Sequence, residues 1–186
     1  MAIKKILYTF GGLTLFIVLT VLILGIYRFN FTNGGDIIPG DNAPDVRNMS
    51  YVIDSETFTL QNGVSVSDAA PGSSSKNTVR IFGEPLYQDF NGDTVQDAAL
   101  LLLKTTPGSG AFYYAVLVVA KNNQYTATNA LFLGDRIAPQ NINVDNGTVI
   151  YNYAERRADE PMTTSPSVGK SLYVIYNPAT HTITEK

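Results

Sequence analysis

Between Ile6 and Tyr27 the chain reads ILYTFGGLTLFIVLTVLILGIY, 22 residues without a charge. A helix rising about 1.5 Å per residue carries a run of this length across the roughly 30 Å hydrocarbon core of a bilayer. Such a helix is apolar on every face, which a small β-rich domain could not bury. Lys4 and Lys5 precede the run and only Arg28 follows it closely, a bias that keeps residues 1–5 in the cytoplasm. A cleavable signal would be shorter and end in small residues, whereas this run ends in LGIYRFNF. The expectation is an uncleaved, single-pass membrane anchor over residues 6–27, with the C-terminal part extracytoplasmic.

All 16 acidic residues lie beyond residue 28, against 10 of the 13 basic ones. An acidic outer part with no basic stripe does not attract nucleic acid, so that class of partner is excluded. The absence of cysteine removes disulfides, thiolate metal sites and thiol catalysis together. Residues 28–49 (RFNFTNGGDIIPGDNAPDVRNM) hold Gly34, Gly35, Gly40, Pro39 and Pro44 without periodicity and read as a stalk.

From residue 50 to 186 the signals are those of strands and turns, and the fold class expected is mainly β. TVRIFG (78–83), AFYYAVLVVA (111–120), QYTATNALFL (124–133) and SLYVIY (171–176) read as strands. DAALLLLKT (97–105) is continuously apolar, which suits a central strand covered on both faces. NINVDNGTVIYNY (141–153) is the clearest hairpin, with Asn146-Gly147 at its tip. About nine or ten strands with short connections predict an antiparallel β-meander, as a curved sheet or open barrel. Two loops exceed the usual length, SDAAPGSSSKN (67–77) and RRADEPMTTSPSVGK (156–170), and a loop as long as the second is either functional or disordered.

One stretch suggests chemistry. In DFNGDTVQDA, side-chain oxygens recur at Asp89, Asn91, Asp93 and Asp97, and Val95 offers a carbonyl between them. Calcium seeks six to eight oxygens, and a loop spaced in this way can wrap it. Leu100 stands where an EF-hand requires its bidentate glutamate, so that architecture is excluded. The pattern resembles the single calcium loops of FG-GAP or VCBS-type β-propeller repeats, except that Thr94 replaces their glycine; one copy cannot build a propeller. The competing reading is an acidic but ordinary Asn-Gly turn. A bound ion here would be structural.

Other candidates are weaker. SVGKS (167–171) lacks the first glycine of a phosphate-binding loop, since position 164 is threonine. His181 is the only histidine and lies near the C-terminus. Asp135 with Glu155 or Glu160 could in principle serve as paired carboxylates of a hydrolase. Tyr113, Tyr151, Tyr153, Tyr173 and Tyr176 fit sheet packing better than sugar stacking.

The run from TVRIFGEP through DAALLL, GSGAFYY, NALFLGDRIAP, VIYNYAERR and EPMTTSPSVGKS resembles a domain of small anchored bacterial envelope proteins, sometimes found beside META-type or lysozyme-inhibitor-type modules. That resemblance implies an envelope setting and brings no catalytic residues. The expected function is therefore an anchored module that binds an envelope protein or ligand; an envelope hydrolase and a purely structural component are the alternatives.

Overall fold

The computed structural model describes residues 43–121 and 124–186. A short 3₁₀ turn (Val46–Asn48) leads into twelve strands, and every pairing between them is antiparallel. Strands β1 (Ser50–Ile53) and β2 (Glu56–Thr59) form a separate hairpin. β3 (Val64–Asp68), β4 (Lys76–Gln88), β5 (Asp97–Thr105), β6 (Ala111–Lys121) and β7 (Gln124–Ala127) lie side by side in chain order, with β8 (Leu131–Asp135) also on β6. β9 (Ala138–Asp145), β10 (Thr148–Glu155), β11 (Val168–Asn177) and β12 (Thr182–Glu185) make a four-stranded sheet, again in chain order.

The mainly β, antiparallel meander reading therefore holds, but among the described residues the strands divide into three sheets and close no barrel. The reason lies in β5 and β6. Side chains alternate across a strand, so residues of odd and even number face opposite ways. Ala99, Leu101, Leu103, Tyr113, Ala115, Leu117 and Val119 pack with Val149, Tyr151, Tyr153, Val174 and Ile183 of the four-stranded sheet. Ala98, Leu100, Leu102, Tyr114, Val116 and Val118 pack instead with Tyr51, Ile53, Phe58 and Leu60 around the β1–β2 hairpin. Two apolar faces require two covers, and one sheet closing on itself would supply only one. The first eight residues of β5 are all buried, as its continuous apolar run requires.

Irregularities fit the long strands to these covers. β4 carries a wide bulge at which Gly83, Glu84 and Pro85 together oppose Leu100, since Phe82 pairs with Leu101 and Leu86 with Ala99. Gly83 adopts φ +72° there, and Pro85, which has no N–H to donate, is tolerated because the ladder is already open. The segment expected as one strand over 124–133 divides into β7 and β8, which share one edge of β6. At the break Thr128 Oγ1 accepts the Leu117 N–H at 3.2 Å, while the Asn129 amide pairs with both Ile183 backbone groups at 2.7 and 3.0 Å. Asn129 thus ties the break to β12.

The hairpin lid is fixed by charge as well as by apolar contact. Its two-residue turn, Asp54-Ser55, has φ of +51° and +68°, and Asp54 Oδ2 accepts from Tyr114 Oη at 2.9 Å and Lys104 Nζ at 3.1 Å. Glu56 lies 3.6 Å from the same ammonium, whose nitrogen sits 5.3 Å from the centre of the Phe58 ring. These partners explain how a lysine in the middle of the sheet is buried at little cost.

The end of the expected stalk belongs to this domain. Val46 is buried, Tyr51 Oη donates to its carbonyl at 2.7 Å, and Gly63 N donates to the Arg47 carbonyl at 2.7 Å. The anchor expected over 6–27 lies outside the described residues, among which no helix is long and apolar enough to cross a membrane.

Ile53 is fully buried beneath the lid and its neighbour Val52 is 49% exposed on the outer face. Ile53→Ala should cost about 2–5 kcal/mol in urea unfolding, and Val52→Ala within about 0.5 kcal/mol. Equal losses would contradict the alternation.

Candidate functional site

The stretch 89–96 connects β4 to β5 at one end of the central sheet. Its acids fold inward onto the loop's own backbone. Asp89 Oδ1 accepts from Asn91 N and Gly92 N at 3.1 and 2.7 Å, and its Oδ2 from Thr94 N at 2.8 Å. Asp93 Oδ1 accepts from Val95 N at 2.8 Å, and Asn91 Oδ1 from Asp93 N at 2.9 Å. The Asn91 amide nitrogen donates to Asp93 Oδ2 at 2.9 Å and to the Ala120 carbonyl at 3.2 Å, pinning the loop to β6. Such local bonds are what short acidic side chains offer a tight turn.

Thr94 stands where calcium loops of the resembling type carry glycine, and it adopts φ +70°. The backbone thus takes the glycine conformation without glycine, a strained choice for a β-branched residue. Its N–H bond to Asp89 holds it there. Gly92, at φ +83°, supplies the second left-handed position.

Asp97 is of a different kind. Its side chain is fully buried at the first position of β5, where Oδ2 accepts from Phe90 N at 2.8 Å and Oδ1 from Ala120 N at 2.9 Å. It fastens the loop and the end of β6 to β5. Burial pushes its carboxyl up to about 6; the Ala120 and Phe90 N–H groups oppose this, and the Asp93 and Asp89 charges add to it. Desolvation also raises Asp89, but there the N–H bonds, that from Thr94 first and then those from Gly92 and Asn91, outweigh it and leave the carboxyl below its usual value.

The side-chain oxygens of Asp89, Asn91, Asp93 and Asp97 thus point at backbone N–H groups, and Val95 enters this set through its N–H, which donates to Asp93. Among the described residues no three acidic or imidazole side chains form a group able to hold a metal ion. The acids are accounted for as the loop's own scaffold.

Two aromatic residues border this end. The phenols of Tyr125 and Tyr176 are raised by burial first and then by the charges of Asp97 and Asp93. His181 is wedged beside them: its Nε2 lies 2.8 Å from Thr126 Oγ1 and its Nδ1 2.9 Å from Tyr176 Oη. The lone histidine is therefore a half-buried tie between β7 and the β11–β12 turn. Nothing near it in sequence signals this, because Thr126 lies 55 residues away.

The carboxylates considered for hydrolysis each have a cation of their own. Asp135 pairs with Arg136 at 3.0 Å and accepts the Ala111 N–H at 2.8 Å; burial raises its carboxyl, but the Arg136 and Ala111 bonds and the Arg156 charge bring it below the usual range. Glu155 meets Lys170 at 2.7 Å and Glu160 meets Arg157 at 3.3 Å. A general acid requires the opposite shift from that of Asp135.

The loop between β10 and β11 is cross-braced. Arg156 Nη1 donates to the Arg136 carbonyl at 2.8 Å and its Nε to the Thr164 carbonyl. Thr164 N returns to the Pro161 carbonyl at 2.9 Å, and Ser167 N to the Glu155 carbonyl at 3.0 Å, closing the loop at its base. Met162 stands 46% exposed at the tip.

Asp97→Asn should cost about 1–3 kcal/mol, because an amide cannot accept from both N–H groups and one buried donor loses its partner. The native stability should also fall relative to this variant as pH rises from about 4 to 6. Asp97 has a folded value above that of an unfolded aspartate, about 3.9, so its contribution is complete below that point and lost through about 6. Asp89 acts oppositely, contributing above the unfolded value and losing that contribution as pH falls through its lowered one. Urea titrations of both proteins across this window check the difference, and parallel curves would refute it.

Compared with known proteins, the chain matches no family model, no curated protein and no solved structure.

Proposed function

We propose that this chain is a membrane-anchored, extracytoplasmic binding module whose contact surface for an envelope protein or ligand is the loop over residues 156–167. The observation that carries this reading is the bracing of that loop by Arg156. A loop longer than most connections ordinarily costs entropy to immobilise on a partner. Here that ordering is already done within the folded chain. From Pro161 to Val168 the loop bears no charge, and the exposed Met162 is a soft, adaptable contact. The separate ion pairs of Asp135, Glu155 and Glu160 favour binding over hydrolysis. The anchor over 6–27 and the envelope setting rest on the sequence.

The test is recovery of a partner by the full-length chain from a solubilised envelope fraction. Met162→Asp should abolish recovery, and Arg156→Ala should reduce it severalfold by freeing the loop while the fold persists. Recovery of the same partner at equal yield by both variants would exclude this loop as the contact surface.

A structural calcium ion at Asp89, Asn91, Asp93, Val95 and Asp97 is the second element of the proposal, supported by their spacing and by the lone pairs that carboxylate oxygens keep beyond the N–H groups they accept. If the native loop binds calcium, the melting midpoint must rise with calcium concentration and return with chelator, and Asp93→Ala must remove the response. An identical midpoint in calcium and chelator would leave the acids with their scaffold role alone.

A further inference from the structure

Three Asn-Gly pairs lie among the described residues: Asn62-Gly63, Asn91-Gly92 and Asn146-Gly147 (a fourth, Asn33-Gly34, lies outside them). This dipeptide is the one most open to spontaneous cyclisation, because glycine has no side chain to obstruct attack by its nitrogen on the preceding amide carbon. The three pairs have similar local backbones, with the asparagine or glycine at positive φ in each. Their hydrogen bonds differ.

At the first pair, Gly63 N donates to the Arg47 carbonyl at 2.7 Å, and the Arg47 side chain passes close by, with Nη1 3.5 Å from where a Cβ would stand. At the second, Gly92 N donates to the Asp89 carboxylate at 2.7 Å. Removing its proton would place an amide anion against that carboxylate. The Asn91 side chain is held as well, through Ala120, Asp93 and the Asp93 N–H. At the third pair neither group is held: among the described residues the Gly147 N–H and the Asn146 amide have no hydrogen-bond partner. Asn146 and Gly147 are exposed at the β9–β10 tip, with open space around Gly147.

We propose that Asn146 is the site in the folded domain where the chain modifies itself, through a succinimide to aspartate or isoaspartate. The Gly147 nitrogen gives its proton to water or hydroxide and attacks Asn146 Cγ. The bond from Cγ to Nδ2 breaks, and Nδ2 leaves as ammonia after taking up a proton. Water then adds to either imide carbonyl and opens the ring, yielding one new carboxylic acid that ionises. Only water is consumed.

The product alters the structure at a defined place. Isoaspartate inserts an extra main-chain carbon into a two-residue turn whose geometry sets the β9–β10 register. It also adds a negative charge beside Asp145. Val144 and Val149, paired directly below the tip, would be the first core contacts to loosen.

The experiment is peptide mapping of the full-length chain after incubation in mildly alkaline buffer, folded and in denaturant. In the folded chain Asn146 should convert about tenfold faster than Asn62 and Asn91, the effect of sparing an attacking group the loss of one hydrogen bond. In denaturant the three rates should converge, since all share the same dipeptide. Conversion of Asn62 or Asn91 as fast as Asn146 in the folded chain would overturn the assignment. So would a spread of rates that persists in denaturant.

Discussion

The architecture depends on two strands that must be buried on both faces. From Ala98 to Leu103 no residue of β5 can accept solvent, and β6 repeats this from Tyr113 to Val119. At about 25 cal/mol per Å² of apolar surface removed from water, leaving either face open would forfeit several kcal/mol. The four-stranded sheet covers one face and the small β1–β2 hairpin the other. That hairpin has too little surface to be stable alone, which is why charge and hydrogen bonds at Asp54, Lys104 and Tyr114 supplement its apolar contacts.

The same requirement shapes the acidic end. A central strand entered from a tight loop exposes backbone N–H groups just where the chain becomes buried, and each needs an acceptor. Asp97 supplies two acceptors at the first position of β5, and Asp89 supplies three bonds within the loop. The spacing of acids that suggests an ion site is thus also the spacing of backbone donors in the turn. Both readings draw on one property of carboxylates, their capacity to accept several bonds at once. Asp97 joins three segments, the loop at Phe90, the end of β6 at Ala120 and its own strand β5, whereas the bonds of Asp89 and Asp93 stay within the loop.

The strands at 97–105, 111–120 and 141–153, the hairpin tip at Asn146-Gly147 and the two-sided burial of β5 were all legible from residue pattern. Part of the acidic loop was legible too: the spacing located it between two strands, and Thr94, singled out where the resembling loops carry glycine, adopts a positive φ. What could not be read was where the oxygens point. Extension of β4 through Gly83-Glu84-Pro85 was hidden because those residues signal a turn, whereas a bulge absorbs them without ending the strand. Burial of Val46 was hidden because its neighbours look like a linker.

By itself the sequence determined the strand character of most segments, the positions of several turns, and the need to cover β5 on both faces. These follow from alternation and turn chemistry, which act over a few residues. Only the tertiary structure decided that the covers are separate sheets, that Asp97 caps an N–H 23 residues away, and that Lys104 meets Asp54 across 50 residues. Those pairings depend on which strands approach one another. That is set by the combined burial of both faces, a quantity no local window contains.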